Sequence, residues 1–195
     1  LGFDTVKSLV LSSGVLEMMD NALPGLWDHS FACARACTFI AEDANLEAPE
    51  EVGVIGLLHD LGKVILSQTL VDDFARIRQR ADRGNMLLVQ SEVHVLGCHH
   101  GEIGAWLLSK WALPPKLTEP IAEHHDFKPQ QDHAQRTAAV HLADVLVRAE
   151  GFGSGGDRYI PQLAAGTLDT LGLELHTVER IMDRLHADLT ELHRA

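Results

Sequence analysis

With 195 residues and 46% apolar side chains, the chain is long enough to bury a core of its own. Aromatics make up only 5%, so that core must be built from Leu, Ala, Val and Ile. A formal net charge of −12 without any Lys/Arg cluster excludes a phosphate-backbone partner and disfavours anionic bilayers, so neither nucleic acid nor membrane is expected as a partner.

The periodic segments have helical spacing throughout, and no stretch alternates like a strand, so the sequence predicts an all-α fold. Val6, Leu9, Val10, Leu16 and Met19 trace one stripe of an opening helix that ends between Asn21 and Gly25. Residues 28–44 form a second helix whose Ala and Cys content permits close packing. Glu50 to Leu58 is a third, with Pro49 suited to its first turn, His59–Asp60 at its C-terminal end and Gly62 marking the turn that follows. Val71 to Arg83 is a charged surface helix stopped by Gly84–Asn85, and residues 86–98 are read as helix.

Gly101 to Trp111 is helical, with Trp106 and Trp111 expected in core and rim packing. Lys116 to His125 is a short helix ending in a histidine pair, and Ala134 to Glu150 is a long amphipathic one. The run GFGSGGD (151–157) reads as a flexible joint; a phosphate cradle is the alternative, but no Gly-Lys-Ser/Thr follows it. Leu168 to Leu171 and then Leu175, Val178, Met182, Leu185, Leu189 and Leu192 give a terminal helix with one apolar face. That face is read as core, with an oligomer seam as the alternative.

Cys33, Cys37 and Cys98 show neither CxxC spacing nor an even count, which fits free thiols in a reducing compartment. Cys33 and Cys37, four apart on a helix, have the spacing to grip a metal, but they are read as small buried hydrophobes. No stretch has transmembrane length and no signal peptide opens the chain, so the expected location is cytoplasmic. Leu1 is not Met, and LGFDTV reads as the interior of something longer.

Seven side chains read as ligands for two metal ions: His29, His59, Asp60, His100, His124, His125 and Asp144. Imidazole and carboxylate are what Fe, Mn, Zn or Ni accept, and seven groups exceed the needs of one ion. Adjacent helical residues point about 100° apart, so His59 and Asp60 share a target only at a helix terminus facing a buried centre. The apolar run IGLL before them implies such an entry into the interior, where unpaired polar groups are costly. His124–His125 repeats the pattern; taken alone, it reads first as a surface pair and only second as a ligand pair. Asp144 lies among Val140, Leu142, Ala143, Val145 and Leu146, where a charge suggests a partner ion, and His141 one turn earlier is read as a helix-surface histidine.

The order H…HD…H…HH…D, with GLLHDLGK and HHGEIG, resembles the HD superfamily of metal-dependent phosphohydrolases. LGFDTVKSL, LWDHS, LLHDLGKVIL, HHGEIGAWLLSKWALP and IAEHHDF look most like its HDOD group of bacterial signalling domains, over nearly all of residues 1–150. The resemblance implies an HD-domain helical bundle over 1–150, with 151–195 supplying the Gly-rich joint and C-terminal helices packed on it. The additional N-terminal helical segment usual in HDOD domains is absent from this sequence. So is the GYP signature of cyclic-dinucleotide phosphodiesterases, since EHHD runs into FKPQ, which puts that substrate in doubt.

Carried over residue by residue, the resemblance implies one ion at His29, His59, Asp60 and Asp144. A second is implied at His100, His124 and His125, with Asp60 bridging and His99 as the alternative to His100. Such a pair, about 3.5–4 Å apart, activates water and clamps phosphoryl oxygens. Asp60 and Lys63 are the expected catalytic residues, Lys63 either stabilising charge on phosphate or serving as a helix C-terminal cation. The expected cofactors are two divalent transition-metal ions, Fe or Mn first and Zn or Ni as alternatives. A phosphate-containing small molecule is the expected substrate, with a signalling protein as a second class of partner.

Overall fold

The computed structural model describes residues 15–192, and side chains from 18 to 191; Val6, Leu9, Val10, Leu16 and Leu192 of the two terminal stripes lie outside those limits. The described residues form helices α1 (Val15–Ala22), α2 (Leu26–Asp43), α3 (Pro49–Leu58), α4 (Leu61–Thr69), α5 (Val71–Gly84) and α6 (Leu88–Leu96), then α7 (His100–Lys110), α8 (Pro115–Glu123), α9 (Ala134–Glu150), α10 (Thr167–Leu171) and α11 (Leu175–Leu192). No strand occurs among them, and the fold is all-α. No single described helix is long and apolar enough to cross a membrane.

The centre is the pair α2–α3, packed against α9, with α8 closing on α3 and α9. Small side chains allow this density: Ala32, Cys33, Ala34, Ala36, Cys37 and Ala41 of α2 are all buried, as are Ala138, Ala139 and Ala143 of α9. Close backbones replace large side chains here, as the low aromatic content required. The terminal helix lies on α2, with Ile181, Leu185 and Leu189 buried and Arg35 gripping Asp188 through two 2.8 Å bonds.

Gly62 does not mark a turn; it lies inside α4, a helix the reading omitted. A Cβ there would meet the His100 carbonyl oxygen at 1.9 Å, so glycine is what allows α7 to approach α4. The terminal segment is two helices, broken after Leu171, and Leu175 is exposed rather than part of the buried face. Trp106 and Trp111 are 61% and 58% exposed; Lys110 lies over the Trp106 ring at 5.6 Å in place of core contacts.

Candidate metal centre

His59 and Asp60 occupy the junction between α3 and α4, His59 closing the first helix and Asp60 preceding the second. That placement solves the problem of adjacent side chains, because helical geometry no longer separates them. The last carbonyls of a helix lack intrahelical partners, and His59 uses one: its Nδ1 donates to the Gly56 carbonyl at 2.7 Å. His124, just past α8, donates from Nδ1 to the Ile121 carbonyl, also at 2.7 Å. In both rings the proton therefore sits on Nδ1 and the lone pair on Nε2 faces the centre. Both Nε2 atoms are buried and without a hydrogen-bond partner.

The remaining residues converge on the same space. His29 Nε2 lies 3.1 Å from Asp144 Oδ1 and 3.6 Å from Asp60 Oδ2, while His59 Nε2 is 3.4 Å from Asp60 Oδ2. On the other side, His100 Nε2 is 3.1 Å from Asp60 Oδ1 and 3.0 Å from His125 Nε2. Asp60 thus reaches both histidine groups, one with each oxygen. Among the described residues, three sets bring one ligand atom per residue within 4.8 Å of one another: His29, Cys33, His59 and Asp144; His100, His124 and His125; and His59, Asp60 and His124. These His and Asp groups could hold metal, and the paired, unpartnered imidazole nitrogens fit a cation better than any donor present. All seven side chains expected from the sequence are brought together. His99 points elsewhere: its Nδ1 accepts from the Gly101 N–H at 3.2 Å, and its ring lies toward Asp126 and Glu102.

Charge is balanced by groups the sequence reading either missed or misplaced. Lys63 is in the first turn of α4, not at a helix C-terminus; fully buried, it donates to Asp60 Oδ2 at 2.7 Å and to the Gly155 carbonyl at 2.8 Å. Glu92, also fully buried, accepts from the His100 ring Nδ1 at 2.6 Å and from its backbone N–H at 2.9 Å. Arg148 bridges Asp144 at 2.7 Å and Asp157 at 2.6 Å. His141 is not a surface histidine. Its Nδ1 donates to the His124 carbonyl at 2.8 Å and its Nε2 accepts from the Ala164 N–H at 3.0 Å, bracing the histidine pair from behind. Arg148 had a legible signal, one turn after Asp144 on the same helix face. Glu92 did not, since nothing in its own segment points to His100.

Titration follows from burial and neighbours. Burial pulls His59 down to about 4, against the attraction of Asp60 and Asp144. Burial, reinforced by the surrounding imidazoles, also holds His124 and His125 well below the usual histidine range. For His100, burial is overcome by Glu92, and its value rises. Burial would raise both aspartates, but His59 and Lys63 beside Asp60, and Arg148 and His29 beside Asp144, hold them well below the carboxylate range.

The segment 151–157 crosses directly over this centre. A Cβ at Gly153, which has a positive φ of 65°, would meet the His29 backbone nitrogen at 2.2 Å, and Ser154 N–H donates to the Gly25 carbonyl at 2.9 Å. Asp157 accepts from the Leu88 N–H, tying the far end. Rather than a free joint, the run is a fastened loop. A cavity of 140 Å³ lies along it, lined in part by His29, Arg148 and Gly155.

An all-helical bundle that gathers five imidazoles and two carboxylates at the meeting point of its central helices is an HD-type domain. The chain belongs to the HDOD domain family, whose sequence profile matches residues 1–127. It is similar in structure to an HDOD domain protein of unknown function from Geobacter sulfurreducens (25% identity, TM-score 0.72), covering 88% of this chain and 61% of that one. A candidate phosphohydrolase from Shewanella amazonensis SB2B shares the fold at 20% identity and TM-score 0.65, over 83% of this chain and 58% of that one. An uncharacterized protein of Treponema pallidum (strain Nichols) is 22% identical over 153 residues, 76% of this chain and 30% of that protein. The chain spans less than two thirds of each of these relatives.

Proposed function

We propose that this HDOD domain is a signalling domain that binds two divalent transition-metal ions and hydrolyses a phosphate ester or nucleotide. The observation that carries the reading is Asp60, whose two oxygens face different histidine groups while His59 and His124 aim unpartnered nitrogens between them. His29, His59, Asp60 and Asp144 would hold one ion, and His100, His124 and His125 the other, with Asp60 shared. When bound, such ions supply Lewis acidity and lower the pKa of water.

The chain's own groups do the rest. Glu92 fixes the His100 tautomer, and the Gly56 and Ile121 carbonyls do the same for His59 and His124. Lys63 holds a positive charge beside Asp60, where a phosphoryl oxygen would develop negative charge. The loop through Gly153 to Gly155 keeps bulk water off His29.

The test is hydrolysis of generic phosphomonoesters and phosphodiesters with added Mn²⁺ or Fe²⁺, comparing wild type with Asp60→Asn. Activity in wild type that is lost in the variant supports the reading. Equal rates in the two remove catalysis from it.

A second reading is a regulatory module whose metal site is structural or sensory, with output through a protein partner. What favours it is enclosure: His29, His59, Asp60 and His124 have 0% exposed surface, and the Gly155 carbonyl holds Lys63 in place. Metal binding without turnover of any phosphate ester is its signature.

A further inference from the structure

The thiol of Cys33 faces the metal centre. One turn beyond His29 on α2, it is 1% exposed, and its Sγ lies 3.6 Å from His29 Nε2. It joins His29, His59 and Asp144 in a set of four ligand atoms within 4.8 Å of one another. With metal–sulfur and metal–nitrogen bonds of about 2.3 Å and 2.0–2.1 Å, sulfur and nitrogen ligands of one ion stand about 3.1–3.8 Å apart for angles between about 90° and 120°. The observed separation matches. An independent observation points the same way: His59 Nε2 is buried, carries a lone pair and has no partner.

Cys37 supplies the contrast on the same helix. It is equally buried, but its Sγ is directed at the Ala139 carbonyl at 4.0 Å, and it belongs to no such ligand set. Cys37 is the small buried hydrophobe; Cys33 is positioned differently.

Building on the two-metal reading above, we infer that Cys33 is a fifth ligand of the ion held by His29, His59, Asp60 and Asp144. On binding, the sulfur–metal bond forms as the thiol proton leaves to solvent. The thiolate and the Asp144 carboxylate then balance the divalent charge, and the Asp60 charge is shared with the second ion. A soft sulfur ligand selects Zn²⁺, Co²⁺, Fe²⁺ or Ni²⁺ over Mg²⁺ or Mn²⁺ at this position.

The experiment is titration of the metal-free protein with Co²⁺, following the near-ultraviolet sulfur-to-cobalt charge-transfer band and the cobalt content together. Wild type and Cys37→Ser develop the band; Cys33→Ser and Cys33→Ala lose it. Should neither Cys33 variant fold, a Cys37→Ser/Cys98→Ser double variant that keeps the band assigns it to the one remaining thiol. Full cobalt content in wild type without the band, or an undiminished band in Cys33→Ser, overturns the assignment and leaves metal binding standing. A wild-type protein that takes up no cobalt overturns both this assignment and the two-metal reading.

Discussion

The rings of His59 and His124 meet edge to face with centroids 5.1 Å apart, and one device orients both. Each residue follows the end of a helix and gives its Nδ1 proton to the carbonyl three positions earlier. Two unrelated helix ends thus spend an otherwise unsatisfied carbonyl on aiming an imidazole inward. The bare nitrogens facing each other across the centre are the physical reason for expecting a cation there.

Without metal, these buried neutral imidazoles make stability depend on pH. His59 falls to about 4 from an ordinary value near 6.5, so the unfolded chain binds its proton more readily than the folded one. Its contribution is present above about 6.5 and is lost as pH drops toward 4, on the order of 3 kcal/mol for full burial of one such group. His124 and His125 act with the same sign, and His100, whose value is raised, partly opposes them. Denaturant melts of the metal-free protein between pH 7 and 4 are expected to show a steep fall in stability. A flat profile contradicts the buried neutral state.

Glu92 is the orienting group for His100, accepting hydrogen bonds from both its ring and its backbone N–H. Replacing it by Gln keeps the shape but removes the charge that favours the ligating tautomer. Metal affinity is expected to fall by about 10–100-fold, the usual cost of losing such an outer partner. Competition with a chromophoric chelator measures this directly, and unchanged affinity removes Glu92 from the centre.

Most of the fold was legible because an apolar stripe at helical spacing survives in α5 and α11, and because α3, whose residues 52–58 are all buried, still shows Pro49 at its start and an unbroken apolar run. His59, Asp60, His124 and His125 were legible because HD and HH pairs at buried helix ends carry a local cost unless something binds them, and Asp144 because a charge stood among apolar neighbours; His29 and His100 were legible only through the resemblance to the HD superfamily. What could not be read was pairing across the chain. Glu92 meets His100 only through tertiary packing, and Lys63 meets the Gly155 carbonyl across 92 residues of sequence. Gly62 misled for a related reason: a glycine needed for contact with another helix looks the same in sequence as one needed for a turn. His141, too, was assigned to the surface because its own helix gave no hint of the Ala164 amide it binds.

That contact makes Gly62→Ala a sharp probe. The added methyl must displace the His100 backbone, separating α7 from α4, and overpacking of this kind costs about 1–3 kcal/mol. Thermal unfolding measures the loss. Metal affinity should fall alongside it, since His100 moves with its helix; a variant as stable as wild type contradicts the close approach.

Arg148 separates the metal-free from the loaded protein. Its side chain is 7% exposed and pairs Asp144 with Asp157, so Arg148→Met leaves two carboxylates without their cation. Breaking such a buried pair costs about 3–5 kcal/mol. The loss is expected to be largest in the metal-free protein and smaller with Zn²⁺ present, because a cation restores charge balance at Asp144. Equal losses in both forms would argue against Asp144 as a ligand.

The most direct test of the two-metal centre is anomalous scattering from a crystal of the protein loaded with a transition metal. Two anomalous peaks are expected, one among His29, His59 and Asp144, the other among His100, His124 and His125, with an Asp60 oxygen toward each. A single peak, no peak, or density seated away from these side chains contradicts it.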